Sequence, residues 1–213
     1  MRHPIIFFIV CSSFVLPIFS NDFQLQTGDL LFQVGKSSGL SDAIAGVTSG
    51  KNNIPYTHVG IVSIEDDTVF VVEATPPEVC KTPVDTFLIR SALIAGKPLV
   101  GVGRLKPEFR ASVPQAIARA KNQLGKPYDF VYSPDNQAYY CSELVAVSFL
   151  NERGEPLFPS QPMTFRDETG SFPAYWVSHF KEYQTEIPES CPGTNPGDLS
   201  KSGVIEIVFC YFE

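Results

Sequence analysis

Apolar runs separated by short polar breaks fill most of this chain, and the period within each run predicts its element. Residues 30–34 form a brief apolar run behind the turn signal Gly28-Asp29, which predicts a strand. Residues 56–64 and 68–74 are rich in β-branched side chains, with the polar Glu65-Asp66-Asp67 between them. That arrangement predicts a β-hairpin. Residues 79–84, 99–105 and 204–211 read as further strands, and residues 86–94 as helical or irregular. Cys141, Leu144, Val145, Ser148 and Phe149 fall at i, i+3, i+4, i+7 and i+8, one face of a helix that opens just after the helix breakers Ser133-Pro134-Asp135-Asn136. Val113, Ile117, Ala120 and Leu124 make the stripe of another helix, with Ser112 as its expected N-cap and Pro114 in its first turn. A short helix is expected over residues 42–45, capped by Ser41 and ended by Gly46. Another is expected over residues 175–183. Beyond Gly154 the pattern weakens, proline recurs, and residues 191–198 are turn chemistry throughout.

Two polar residues interrupt the hairpin, His58 and Glu73, and their relation follows from register. With Asp66-Asp67 as the loop, Glu73 lies opposite Gly60 and diagonal to His58 on the same face. With Glu65-Asp66 as the loop, it lies directly opposite His58. Either places imidazole and carboxylate within reach of each other, whereas a three-residue loop would send them to opposite faces. Cys141 belongs to the first turn of its helix, where unpaired N–H groups and the macrodipole favour negative charge. A thiol there is readily ionised, and the thiolate is the nucleophile. A buried structural cysteine would give the same helical pattern. Thiol-based acyl transfer needs a thiolate, an imidazole to move its proton and a group to orient the imidazole. Cys141, His58 and Glu73 supply one of each. Candidates for stabilising the oxyanion or positioning the substrate are the backbone N–H groups at the start of that helix, together with Ser142, Tyr140 and Tyr56.

Composition narrows the picture. The 213 residues are 44% hydrophobic and 18% charged, which fits one globular domain with a full core. A net charge of −7 argues against nucleic acid as a partner. Arg2 and His3 precede a largely apolar stretch over residues 5–19, and Ser20 offers a small residue for cleavage. This predicts a secretory signal peptide over residues 1–20 and a single domain over residues 21–213. The apolar stretch is shorter than a membrane span usually needs, so no stable transmembrane anchor is expected. Cys11 is a weak lipoprotein signal because the bulky Val10 precedes it. Export, to periplasm or beyond the cell, would leave Cys80, Cys141, Cys191 and Cys210 in an oxidising space, where Cys191 and Cys210 are candidates to pair. Cysteines and histidines lack zinc-site spacing. No metal and no cofactor are expected, although Cys141, His58 and Glu73 are chemically able to ligate zinc. His179, beside Trp176 and Phe180, reads as structural or surface.

Several segments, in this order, resemble one family. They are residues 25–32 (LQTGDLLF), 56–62 (YTHVGIV), 73–76 (EATP), 125–129 (GKPYD), 140–144 (YCSEL) and 192–196 (PGTNP). Together they are similar to the permuted papain-like enzymes, the YiiX/YaeF-like group of the NlpC-type cysteine peptidase superfamily. The resemblance covers most of residues 21–213. In that group His precedes Cys, as here. It implies an α+β fold: a curled antiparallel sheet packed against the helix bearing the catalytic Cys. It also implies Cys141 as nucleophile, His58 as its partner and Glu73 as the third member. The expected function is an exported thiol hydrolase acting on a peptide-like amide of the cell envelope. The alternatives are a lipid acyltransferase or lipase with the same site, or a binding protein without turnover. Residues 154–198 are expected to line or cover the cleft.

Overall fold

The hairpin at the centre of the computed structural model fixes the position of everything else. The structure describes residues 23–134 and 136–213; the signal-peptide expectation for residues 1–20 lies outside them. In chain order come β1 (Leu30–Gln33), α1 (Gly39–Ala45), β2 (His58–Glu65), β3 (Thr68–Thr75), β4 (Glu78–Pro83), α2 (Val84–Ile89), β5 (Leu93–Ile94), β6 (Lys97–Pro98) and β7 (Val100–Leu105). They are followed by α3 (Val113–Lys121), α4 (Cys141–Ser148), β8 (Gln161–Pro162), α5 (Ala174–Glu182), β9 (Pro192–Gly193), α6 (Pro196–Lys201) and β10 (Ile205–Cys210). Six strands form one antiparallel sheet in the order β10-β7-β1-β2-β3-β4. Two small pairs, β5-β6 and β8-β9, stand apart from it.

The turn between β2 and β3 is the two-residue loop Asp66-Asp67. Both residues take positive φ, 46° and 62°, a conformation that a short polar side chain tolerates and that a tight hairpin requires. The register is therefore Glu65 opposite Thr68 and Ile61 opposite Val72. Continuing the ladder sets Gly60 against Glu73. A Cβ on Gly60 would run into Val71 Cγ1 and lie 3.2 Å from Glu73 Cβ. Glycine is what lets a carboxylate side chain occupy this packed part of the sheet.

The central strands are continuous apolar runs because both faces of the sheet are buried. Leu30, Phe32, Ile61 and Val72 join the larger core with α3 and α4, while Leu31, Val62, Val71 and Val102 join a second cluster closed by Phe87 and Leu88 of α2. Helix α4 packs on β2, β3 and α3. Cys141, Leu144, Val145, Ser148 and Phe149 are all buried, as the period predicts. The fold is thus α+β, with an antiparallel sheet packed against the helix that carries Cys141.

Several local expectations need correction. The cap of α1 is Ser38, whose hydroxyl accepts from Ser41 N–H, and Ser41 lies inside the helix with its own hydroxyl on Thr57. Ser112 holds the N-cap position of α3, as expected, but its side chain makes no capping bond. A 3-10 turn over Pro107–Ser112 runs straight into the helix, and the Ser112 hydroxyl bonds back to Phe109 O. Leu124 lies past the end of α3 and is 42% exposed. Cys191 and Cys210 do not pair: Cys80, Cys141, Cys191 and Cys210 are all free thiols.

Candidate active site

Cys141 is the first residue of α4. Tyr140 before it is extended, and its carbonyl accepts the first helical bond from Leu144 N–H. The N–H groups of the first turn therefore have no partner within the helix and point past Cys141. Cys141 is 5% exposed, at the floor of a cavity. His58 opens β2, and Glu73 sits near the end of β3, fully buried. His58 Nε2 lies 2.5 Å from Glu73 Oε2. That leaves Nδ1 as the ring nitrogen available to the sulfur of the neighbouring Cys141, which raises the pKa of the ring.

The other carboxylate oxygen of Glu73 accepts from Thr82 Oγ1 at 2.5 Å and from Arg90 Nη2. Both oxygens of this buried carboxylate are thus engaged, which is what a charge removed from water requires. Burial pushes Glu73 towards neutrality, but His58, Arg90 and Thr82 overcome it and hold its pKa down at about 2. Burial alone would likewise lower His58. The neighbouring Cys141 and then Glu73 instead raise its pKa to about 9. The site thus favours a charged imidazolium at neutral pH, clamped by the Glu73 carboxylate.

Local pattern points to neither Arg90 nor Thr82. Extending the hairpin register to β4 would have found Thr82, which lies opposite Val71 and hence diagonal to Glu73 on the same face. Arg90 follows α2, with no period linking it to the sheet, and only the tertiary course of the chain brings it in.

The three positioning candidates fare differently. The Ser142 hydroxyl is spent on Thr194 O at 3.0 Å, so only its backbone N–H is free to face a substrate. The Tyr140 hydroxyl accepts from Thr194 N–H at 3.0 Å, tying the start of α4 to the 192–196 segment. Tyr56 is a correction. It is buried in the core with its hydroxyl against Gly101, where a Cβ would meet it at 2.5 Å, and it does not line the cavity at Cys141. His179 is buried in an aromatic cluster with its Nε2 2.7 Å from Phe130 O, the structural role expected of it.

Asp129 organises the approach to α4. Its carboxylate accepts from the N–H groups of Val131, Tyr132 and Ser133. The loop it braces holds Tyr132 at φ +54°, a conformation uncommon for a bulky residue. Glu143, in the first turn of α4, is driven up to a pKa of about 8 by burial and then by the facing Asp129, against a weak bond from Tyr140 N–H at 3.4 Å.

The cavity at Cys141 has a volume of about 60 Å³. Its walls include Ile44 of α1, Val47 just after it, Tyr132, and Phe165, Trp176 and Thr194 from the segment expected to border the cleft. A second hollow, about 160 Å³, adjoins it beside His58 and shares Ile44, Thr57 and Tyr128 with the first. The reactive groups thus stand between two recesses. Among the described residues no three of His, Cys, Asp and Glu gather as a metal-holding group.

A family model described as "Permuted papain-like amidase enzyme, YaeF/YiiX, C92 family" matches residues 24–209. The curated "Uncharacterized protein YiiX" of Escherichia coli strain K12 is 36% identical over 132 residues, which is 62% of this chain. The match spans 60% of that relative's own length. The crystal structure of metalloprotein yiiX from Escherichia coli O157:H7 superposes with a TM-score of 0.73 at 26% identity, covering 90% of this chain and 100% of that one. In this chain His58 Nε2 is committed to Glu73, and the second oxygen of Glu73 accepts from Thr82 and Arg90.

Proposed function

The chain belongs to the YaeF/YiiX (C92) family of permuted papain-like amidases, and on that premise we propose that it hydrolyses a peptide-like amide bond of the cell envelope, with Cys141, His58 and Glu73 as its catalytic group. The observation that carries the assignment is the chain of contacts at the start of α4. Cys141 is within reach of His58, whose opposite nitrogen is clamped at 2.5 Å by a carboxylate that is itself fully engaged.

In this reading Cys141 Sγ attacks the carbonyl carbon and the C=O electrons move onto oxygen. The oxyanion faces the first-turn N–H groups of α4, aligned with the helix dipole. His58, protonated, gives its Nδ1 proton to the leaving nitrogen, the C–N bond breaks, and a thioester remains on Cys141. Neutral His58 then takes a proton from water as it attacks the thioester, and the acid product departs with the thiolate restored. Glu73 holds the ring orientation and stabilises the imidazolium in both halves. The cavity of about 60 Å³ suits a short side chain, and this favours a peptide-like substrate over a lipid. Export follows in the proposal from the basic-then-apolar start of the sequence.

The test pairs mass-mapped alkylation of Cys141 with hydrolysis of a panel of envelope-derived peptides. Cys141→Ala is expected to abolish both. An active wild type whose rate survives that substitution would remove Cys141 from the mechanism.

A further inference from the structure

Three side chains that wall the cavity beside Cys141 carry polar atoms without a hydrogen-bond partner: Trp176 Nε1, Thr194 Oγ1 and Tyr132 OH. Each residue is more than nine-tenths buried, at 1%, 9% and 8% exposure. They come from three separate segments: α5, the loop before α6, and the loop braced by Asp129. The Tyr128 hydroxyl is near enough to Tyr132 to affect its ionisation, yet no bond of normal geometry joins Tyr132 to any partner. Thr194 Oγ1 is similarly close to the Tyr140 hydroxyl, which accepts from Thr194 N–H, yet no bond of normal geometry joins the two hydroxyls. Buried polar groups are nearly always satisfied, so three orphans around one cavity call for an explanation.

The electrical character of the walls narrows that explanation. No described residue lining the cavity is an Asp, Glu, His, Lys or Arg. A carboxylate or ammonium group buried there would find no counter-charge and would be strongly disfavoured. A purely apolar group would leave all three polar atoms unsatisfied. An occupant that answers all three is neutral, carries at least one acceptor for the indole N–H, and offers polar atoms to two hydroxyls that can each donate or accept. The volume of about 60 Å³ admits roughly four to six water-sized atoms.

We infer that this cavity is a specificity pocket for a carboxamide-ended side chain, of the Asn or Gln class or an amidated acid, next to the scissile bond. The carboxamide oxygen accepts from Trp176 Nε1–H, and its NH₂ group donates to Thr194 Oγ1 and Tyr132 OH. One group answers all three orphans. As a substrate preference this rests on the amidase reading above; as a binding property the pocket stands by itself.

Trp176 is the sole tryptophan of the chain, so its emission reports on this cavity alone. The experiment titrates Cys141→Ala protein with butyramide, butyrate and n-butylammonium, following that emission. Butyramide is expected to saturate, with the two ions at least about tenfold weaker because their charge is not compensated. Thr194→Val should weaken butyramide about 3–10-fold, the loss of one neutral hydrogen bond, and Thr194→Ser should restore it. Folding of each variant is read independently from its thermal transition. Equal binding of the three probes, or no saturable change with butyramide in a folded protein, overturns the inference. Selective butyramide binding in a protein whose wild type hydrolyses no amide would retain the pocket and remove the amidase reading. Hydrolysis that prefers Glu, Lys or Leu over Gln beside the scissile bond would do the reverse.

Discussion

Replacing Glu73 by Gln asks how much of the imidazolium at His58 is owed to the carboxylate. The pKa of His58 rises from the ordinary 6.5 to about 9, although burial pulls the other way. That rise corresponds to ~3 kcal/mol of preference for the charged ring at 1.36 kcal/mol per pH unit, shared between Cys141 and Glu73. The sign follows from linkage. Because the folded-state pKa is raised, this stabilisation is full below about pH 6.5 and is lost as pH climbs through about 9. In Glu73→Gln the shape persists but the charge is gone, and the burial that opposes the imidazolium remains. The pKa of His58 should fall by at least about one unit, a loss of ~1.4 kcal/mol or more. Imidazole NMR titration measures this directly, with His179 as an internal reference in the same sample. The alkaline limb of any hydrolytic activity should move down by the same amount, since the general acid is lost earlier. A His58 that still titrates near 9 in the folded Gln variant would refute the view that Glu73 sustains the ring's charge. Cys141→Ala, titrated in parallel, apportions the remainder.

Further outcomes follow from the same contacts. Gly60→Ala drives a methyl into Val71 Cγ1 and against Glu73; thermal melting should show ~1–3 kcal/mol of destabilisation from overpacking, and an unchanged melting temperature would contradict the close approach. Thr82→Val deprives buried Glu73 Oε1 of a donor and should cost ~1–3 kcal/mol by denaturant titration. It should also make the protein more sensitive to acid, because the depressed pKa of Glu73 stabilises the fold above about pH 4.5 and that contribution is lost towards pH 2. Glu143 is the opposite case: its pKa, raised to about 8, means stability present below about pH 4.5 and lost as pH rises through 8. Glu143→Gln should therefore melt higher than wild type at pH 9, and an equal or lower melting temperature there would count against the buried carboxyl.

Residue pattern was enough to locate the main elements and to single out three residues with chemistry to offer. Continuous β-branched apolar runs placed β2 and β3 closely and period 3.6 placed α4, and the polar interruptions His58 and Glu73 stood out because both faces of those strands are largely apolar. Register arithmetic could narrow the hairpin to a few loops; the positive φ angles of Asp66 and Asp67 chose among them. Packing in three dimensions supplied the rest. It brought Arg90 to Glu73, turned the Tyr56 hydroxyl towards Gly101, kept Cys191 apart from Cys210, and closed a cavity with Trp176 and Thr194 from a proline-rich stretch without period. The difference is one of range. Backbone periodicity encodes which face a side chain takes, a local property repeated every few residues, whereas the meeting of two side chains far apart in sequence depends on how whole elements pack, and no short pattern records that.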